Sequence, residues 1–89
     1  MISVRTARFK NAYSGLPLQI KTAAQKSFKI WKATPTHPSL HFKKIHKKQE
    51  IYSIRITLDY RALAIKQEET FIWFWIGNHR EYDELISSF

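Results

Sequence analysis

A chain of 89 residues with a net charge of +8 and a pI of about 10.0 has room for one domain with a modest core, and it is strongly basic. The absence of cysteine excludes a disulfide framework and a thiolate metal site and favours a cytoplasmic setting. The first ten residues lack the apolar run of a signal peptide, and residues 71–76, the longest apolar run, fall far short of the ~18 residues of a membrane span.

Residues 2–5 read as a short strand. Phe9, Ala12, Tyr13 and Leu16 then recur with the spacing of an amphipathic helix. Gly15-Leu16-Pro17 closes that helix and opens another, with the proline in its first turn. Ile20, Ala24, Ser27, Phe28 and Trp31 continue the stripe, while Lys21, Lys29 and Lys32 lie off it, which predicts a helical hairpin with a basic outer side. Pro35 and Pro38 stop the second helix. Residues 40–45 form a shorter candidate strand, followed by the basic loop His46-Lys47-Lys48-Gln49.

From Tyr52 the period changes to two. Tyr52, Ile54, Ile56 and Leu58 alternate with Ser53, Arg55 and Thr57, which is strand behaviour. Further strands follow over residues 60–66 and 70–76, joined by the polar turn Gln67-Glu68-Glu69. The run 71–76 is apolar on both faces and predicts a central, doubly covered strand. A last helix starts at Asn78 and turns Tyr82, Leu85, Ile86 and Phe89 inward. The order β-α-α-β-β-β-β-α predicts a single α+β domain over residues 1–89: an antiparallel sheet of four to five strands, packed by the N-terminal hairpin and finished by a C-terminal helix.

The charge balance calls for an anionic partner, with nucleic acid first, an acidic protein second and a membrane surface third. Arg55 and Arg61 flank the turn between two strands, and the loop length decides whether they meet. The two-residue loop Leu58-Asp59 would put them on opposite faces; the three-residue loop Leu58-Asp59-Tyr60, pairing Thr57 with Arg61, would put them on one. The second is preferred, because it sets Tyr52, Ile54 and Ile56 on the same side as Ala62 and Ala64, small residues suited to close packing under helices. Two guanidiniums on the open face can grip one phosphate.

Asn78 is a good N-cap and Glu81 completes a capping box, so His79 becomes the first helical residue. The positive end of the helix favours a neutral imidazole there, a group that can take a proton from a ribose 2′-OH or return one to a leaving oxygen. Tyr82 lies beside His79 on the helix and either stacks on a base or completes the buried stripe. Gly77 suits a positive φ. Asp83 and Glu84 read as surface charges. Lys43, Lys44, Lys47 and Lys48 suit phosphate contacts along a backbone. The four histidines show no metal-ligand spacing, no glycine-rich phosphate loop exists, and no cofactor is implied.

The order and spacing of Leu16-Pro17, His37-Pro38-Ser39-Leu40 with Phe42-Lys43, Tyr52-Ser53-Ile54-Arg55, Asp59-Tyr60-Arg61-Ala62-Leu63, and Trp75-Ile76-Gly77-Asn78-His79 with Tyr82-Asp83 resemble the RelE/ParE superfamily of bacterial type II toxin–antitoxin toxins over almost the whole length. The resemblance implies an mRNA interferase, an endoribonuclease working on the ribosome, in which the 2′-OH attacks the adjacent phosphate without a metal. It implies Arg61, Arg55, His79 and Tyr82 as the catalytic set. It gives Lys43, Lys44, Lys47, Lys48, Arg80 and Lys29 contacts to mRNA and ribosomal RNA. A glutamate base near Arg61 and a lysine pair before Arg55, used by some branches, are missing here. The implied partner is an acidic antitoxin, with residues 71–76 and 85–89 supplying part of its groove. The ParE branch, which poisons DNA gyrase, and an inactive relic that only binds antitoxin are the alternatives.

Overall fold

The structure is a computed structural model and describes residues 2–89. Strand β1 (Ile2–Arg5) runs into helix α1 (Ala7–Ser14), where the Thr6 hydroxyl caps the Phe9 N–H at 3.1 Å. The helix ends one turn before the apolar stripe does: Gly15 is the C-cap, and Leu16 packs on the core from the link. Pro17 is the N-cap of helix α2 (Leu18–Ala33), one position earlier than the sequence suggests, and its missing N–H is no loss there. Pro38 opens a single 3-10 turn, Pro38–Leu40, which takes the first residue of the strand expected at 40–45, and His41 turns left-handed after it. Leu40 enters the core from that turn, and only Lys43–Lys44 remains as strand β2.

Strands β3 (Ile51–Arg55), β4 (Tyr60–Gln67) and β5 (Thr70–Asn78) and helix α3 (His79–Ile86) complete the order read from the sequence. The sheet runs β1-β5-β4-β3-β2. Its neighbours are antiparallel except β1 and β5, which are parallel, so the expected antiparallel sheet is mixed at one edge. The long connection through both helices and three strands permits a pairing that a tight turn cannot make. The apolar strand at 71–76 is interior and covered on both faces, but β4 takes the centre. Gln67 pairs with Thr70, so the β4–β5 loop is Glu68-Glu69 alone, with Glu68 at a left-handed φ of 55°.

A register shift at Leu63/Ala64 sets Leu63 opposite Trp75 and Ala64 opposite Trp73, leaving Phe74 as the extra residue of a β-bulge. Trp73 and Ile76 therefore both face the hairpin although they stand three positions apart. On that side Trp31 meets Phe71 and Trp73 edge-on at 5.1 Å, and Phe28 meets Trp73 at 4.8 Å. Edge-to-face contacts of this kind add about 0.5–1.5 kcal/mol each beyond area burial. A second, smaller core joins Ile51, Leu63, Trp75 and Tyr82 beneath α3, with Leu85 and Ile86 at its margin. Phe89, expected inward, lies past the helix end and is 46 % exposed. Ser87 and Ser88 bond back to the carbonyls of Glu84 and Leu85 and end the helical path before it. Among the described residues no helix is long and apolar enough to cross a membrane.

Candidate functional site

Residues of β3 and β4 divide cleanly between the two faces. Tyr52 opposite Ala64 and Ile54 opposite Ala62 look toward the hairpin; Ser53 opposite Leu63 and Arg55 opposite Arg61 look away from it. Both arginines thus share the open face, as expected, and the loop has three residues. Its register differs from the expected one: Thr57-Leu58-Asp59 forms the loop, and Arg61 faces Arg55 directly rather than Thr57. Side chains hold this register. The Thr57 hydroxyl accepts the Asp59 N–H at 3.2 Å, and Arg61 Nη1 donates to the carbonyls of Thr57 at 2.9 Å and Tyr60 at 3.3 Å. Leu58, expected as the end of a strand, is 73 % exposed at the tip.

Arg61 keeps its Nε and Nη2 donors outside those contacts. Arg55 Nη1 lies 2.9 Å from His41 Nε2. An arginine only donates, so His41 presents a lone pair at that nitrogen. Neither guanidinium has a carboxylate within ion-pair distance among the described residues. Like charges placed directly opposite across two strands repel. An anion between them relieves that repulsion, which is the electrostatic signature of a phosphate grip.

His79 starts helix α3 beside the turn that carries Arg61. Arg61 is opposite Gly77 on β5, and the chain turns into α3 at Asn78. The capping box is present: Asn78 Oδ1 accepts from Glu81 N at 2.8 Å, and Glu81 Oε1 accepts from Asn78 N at 3.3 Å. The His79 N–H donates to the Asp59 carbonyl, which ties the helix start to the arginine turn. Its Nε2 lies 3.3 Å from Asp83 Oδ2, so Asp83 is a partner of the ring rather than only a surface charge.

Tyr82 is buried, stacked on His79 with ring centres 6.1 Å apart and leaning on Trp75 at 6.3 Å. Its position suits supporting the imidazole better than offering an open platform for a base. Gly77 has no positive φ, contrary to expectation. It is small because the Trp75 ring crosses it: a Cβ there would sit 2.5 Å from Trp75 Cζ2.

The lysines scatter. Lys43 pairs with Ser53 and so shares the arginine face, whereas Lys44 pairs with Tyr52 and is held by Glu50 at 3.1 Å. Lys47 and Lys48 flank a shallow cleft with Ile86 and Phe89, in a loop fixed by His46 Nδ1, which accepts from the Lys48 and Gln49 N–H groups. Arg80 points outward, 3.9 Å from Glu84. Lys29 lies on the hairpin side, in a cleft with Arg5 and Lys32, and so across the sheet from the arginine pair. Phe71, Trp73 and Ile76, expected in part as a partner's groove, are buried beneath the hairpin. Among the described residues no group of three or more histidine or acidic side chains is gathered as metal ligands. His41 is the site residue missing from the sequence reading; the alternation of His41 and Lys43 around the inward Phe42 was its signal.

A basic row lies on the open face of a small α+β sheet, with a helical hairpin behind it. The model of the ParE-like toxin domain matches residues 18–84, and the chain belongs to that family. A comparison with curated protein sequences finds no match. Among solved structures, the RelB–RelE antitoxin–toxin complex from Methanococcus jannaschii is similar with a TM-score of 0.74 at 16 % identity, over 92 % of this chain and 96 % of that one. YafQ from E. coli gives a TM-score of 0.73 at 6 % identity, over 90 % and 94 % of the two chains. The YoeB/ParE toxin from Agrobacterium tumefaciens gives 0.69 at 15 % identity, over 89 % and 99 %. At such identities the likeness establishes the fold.

Proposed function

We propose that the chain is the toxin of a toxin–antitoxin pair and that it cleaves RNA, acting as an mRNA interferase on the translating ribosome. One observation carries this reading: Arg55 and Arg61 face each other on the open side of the sheet without a carboxylate partner, with His79 tied to the same turn. The guanidiniums hold the scissile phosphate and the charge that grows on it as the 2′-OH attacks. His79, steadied by Asp83 and Tyr82, transfers a proton. Lys43 extends the grip along the backbone on the same face, and Lys47, Lys48 and Arg80 add contacts around it. Lys44, paired with Glu50, and Lys29, behind the sheet, meet only RNA that wraps the domain.

The chain works as one domain in the cytoplasm, and its partner is an acidic antitoxin. The excess of 15 basic over seven acidic residues fits such a partner, and the M. jannaschii toxin of the same fold is held in complex with an antitoxin. The test is a cell-free translation reaction to which the purified protein is added, with mRNA 5′ ends mapped and DNA supercoiling by gyrase assayed in parallel. RNA cuts with normal supercoiling support the reading. Intact RNA with blocked supercoiling supports the second reading, a gyrase inhibitor, which the match to the ParE-like family model favours.

A further inference from the structure

We propose that His41, bonded to Arg55 on the arginine face, is a second proton-transfer residue of the site in addition to His79; this rests on the RNA-cleaving reading above. Lys43 pairs with Ser53, and continuing that register by two residues brings His41 opposite Arg55. The side chains meet there, with Nη1 to Nε2 at 2.9 Å. Arg55 is opposite Arg61, and Arg61 is opposite Gly77. His41, Arg55, Arg61 and Gly77 therefore form one row across the open face. The row spans three strand spacings, about 14 Å at the backbone. At Gly77 the Trp75 ring and the Glu81 carboxylate close the far end of the row, and His79 opens helix α3 two residues further on. One phosphodiester seated on the two guanidiniums would lie beside His41.

The backbone supports a dedicated role. His41 adopts φ 45°, ψ 42° at the end of the 3-10 turn, a left-handed conformation that a non-glycine residue takes at a cost. Phe42, next in the chain, packs on Trp31 and Tyr52 in the core. The strained turn thus places His41 outward on the arginine face while its neighbour is anchored inward.

Chemistry follows from the hydrogen bond. Arg55 donates to Nε2, so that nitrogen presents the lone pair a base requires. When a phosphate enters, Arg55 turns its donors to the anion and releases Nε2 to the ribose. Nε2 takes the 2′-OH proton as O2′ bonds to phosphorus. The P–O5′ bond breaks, its electron pair stays on O5′, and O5′ takes a proton from the imidazolium of His79, which the Asp83 carboxylate pairs with. The products are a 2′,3′-cyclic phosphate and a 5′-hydroxyl, and the two rings have exchanged protonation states.

The experiment compares wild type, His41→Ala and His41→Gln by mapping and timing mRNA cuts in cell-free translation, with a melt of each protein. A glutamine still accepts from Arg55 but transfers no proton, so it separates holding Arg55 from moving a proton. Both variants are expected to cut about 100-fold or more slowly at the same positions, and added imidazole to restore part of the His41→Ala rate. Should His41→Ala melt early, the folded His41→Gln decides. A wild-type rate in His41→Gln overturns the proposal, leaving His41 only a support for Arg55. Cutting by both variants at the wild-type rate overturns it while the RNA-cleaving reading stands. A wild-type protein that leaves RNA intact brings down that reading and this inference with it.

Discussion

The two faces of one sheet, built from alternate residues of the same strands, do different work. Toward the hairpin, Ile54, Ala62, Ala64 and Trp73 are completely shielded from solvent, and aromatic edges interlock. Away from it, one residue over in each strand, Arg55 and Arg61 oppose each other with no carboxylate within ion-pair distance among the described residues, an arrangement that weakens the fold locally. Stability is concentrated on one side, so the other can carry repulsion and a strained His41. Helix α3 mediates between them: its Tyr82 seals a small second core with Trp75, and its first residue presents His79.

Substitutions sort by face, and the largest effect on stability belongs to the hairpin side. Trp73→Ala removes a ring that touches Trp31 and Phe28 and is expected to cost about 3–5 kcal/mol, a large part of the roughly 5–15 kcal/mol that holds a domain together. Urea unfolding would show the midpoint collapse, and retention of a near wild-type midpoint would break the division of labour. Next, Gly77→Ala forces a methyl into the Trp75 ring and should cost about 1–3 kcal/mol, read in the same assay. Because Trp75 and Glu81 both meet that methyl, the shift also disturbs the base of α3 and should slow RNA cleavage.

Smaller still, Asn78→Ala deletes the cap of α3 at about 1 kcal/mol. Loosening the His79 turn should lower cleavage more than it lowers the melting temperature, which comparison of the two measurements would check. An effect of comparable size is expected at Trp31. Its Nε1 is buried without a hydrogen-bond partner among the described residues. Trp31→Phe removes that unpaired donor, offsetting part of the lost packing, so the change in stability should stay below about 1.5 kcal/mol with cleavage unaffected. A loss as large as that of Trp73→Ala would show that the indole N–H is satisfied after all.

Element order and the pairing of both arginines on one face were legible because they depend on period and parity, which sequence displays directly. Tyr52, Ile54, Ala62 and Ala64 share a face with either three-residue loop, so the face was legible while the register was not. What stayed hidden depends on contacts between distant segments. The bulge at Phe74 changes parity in mid-strand, and nothing local announces it. Residues 40–45 read as a strand by composition, but Pro38 and the left-handed His41 bend the chain first. That bend is what brings His41 to Arg55, fourteen positions on. The glycine at 77 was noticed for its backbone freedom, whereas the structure uses its lack of bulk. Lys29 looked equivalent to the loop lysines by charge, and only the topology reveals that the sheet lies between them.

The central claim is that the open-face arginine pair holds a phosphate during RNA cleavage. It is tested most directly by mapping mRNA 5′ ends in cell-free translation with wild type and Arg61→Ala, each checked by its melting curve. The account predicts cuts by the wild type and about 100-fold fewer by Arg61→Ala, with the variant still folded after losing two bonds to the turn. Equal cutting by both proteins, or intact mRNA with a folded wild type, would contradict it.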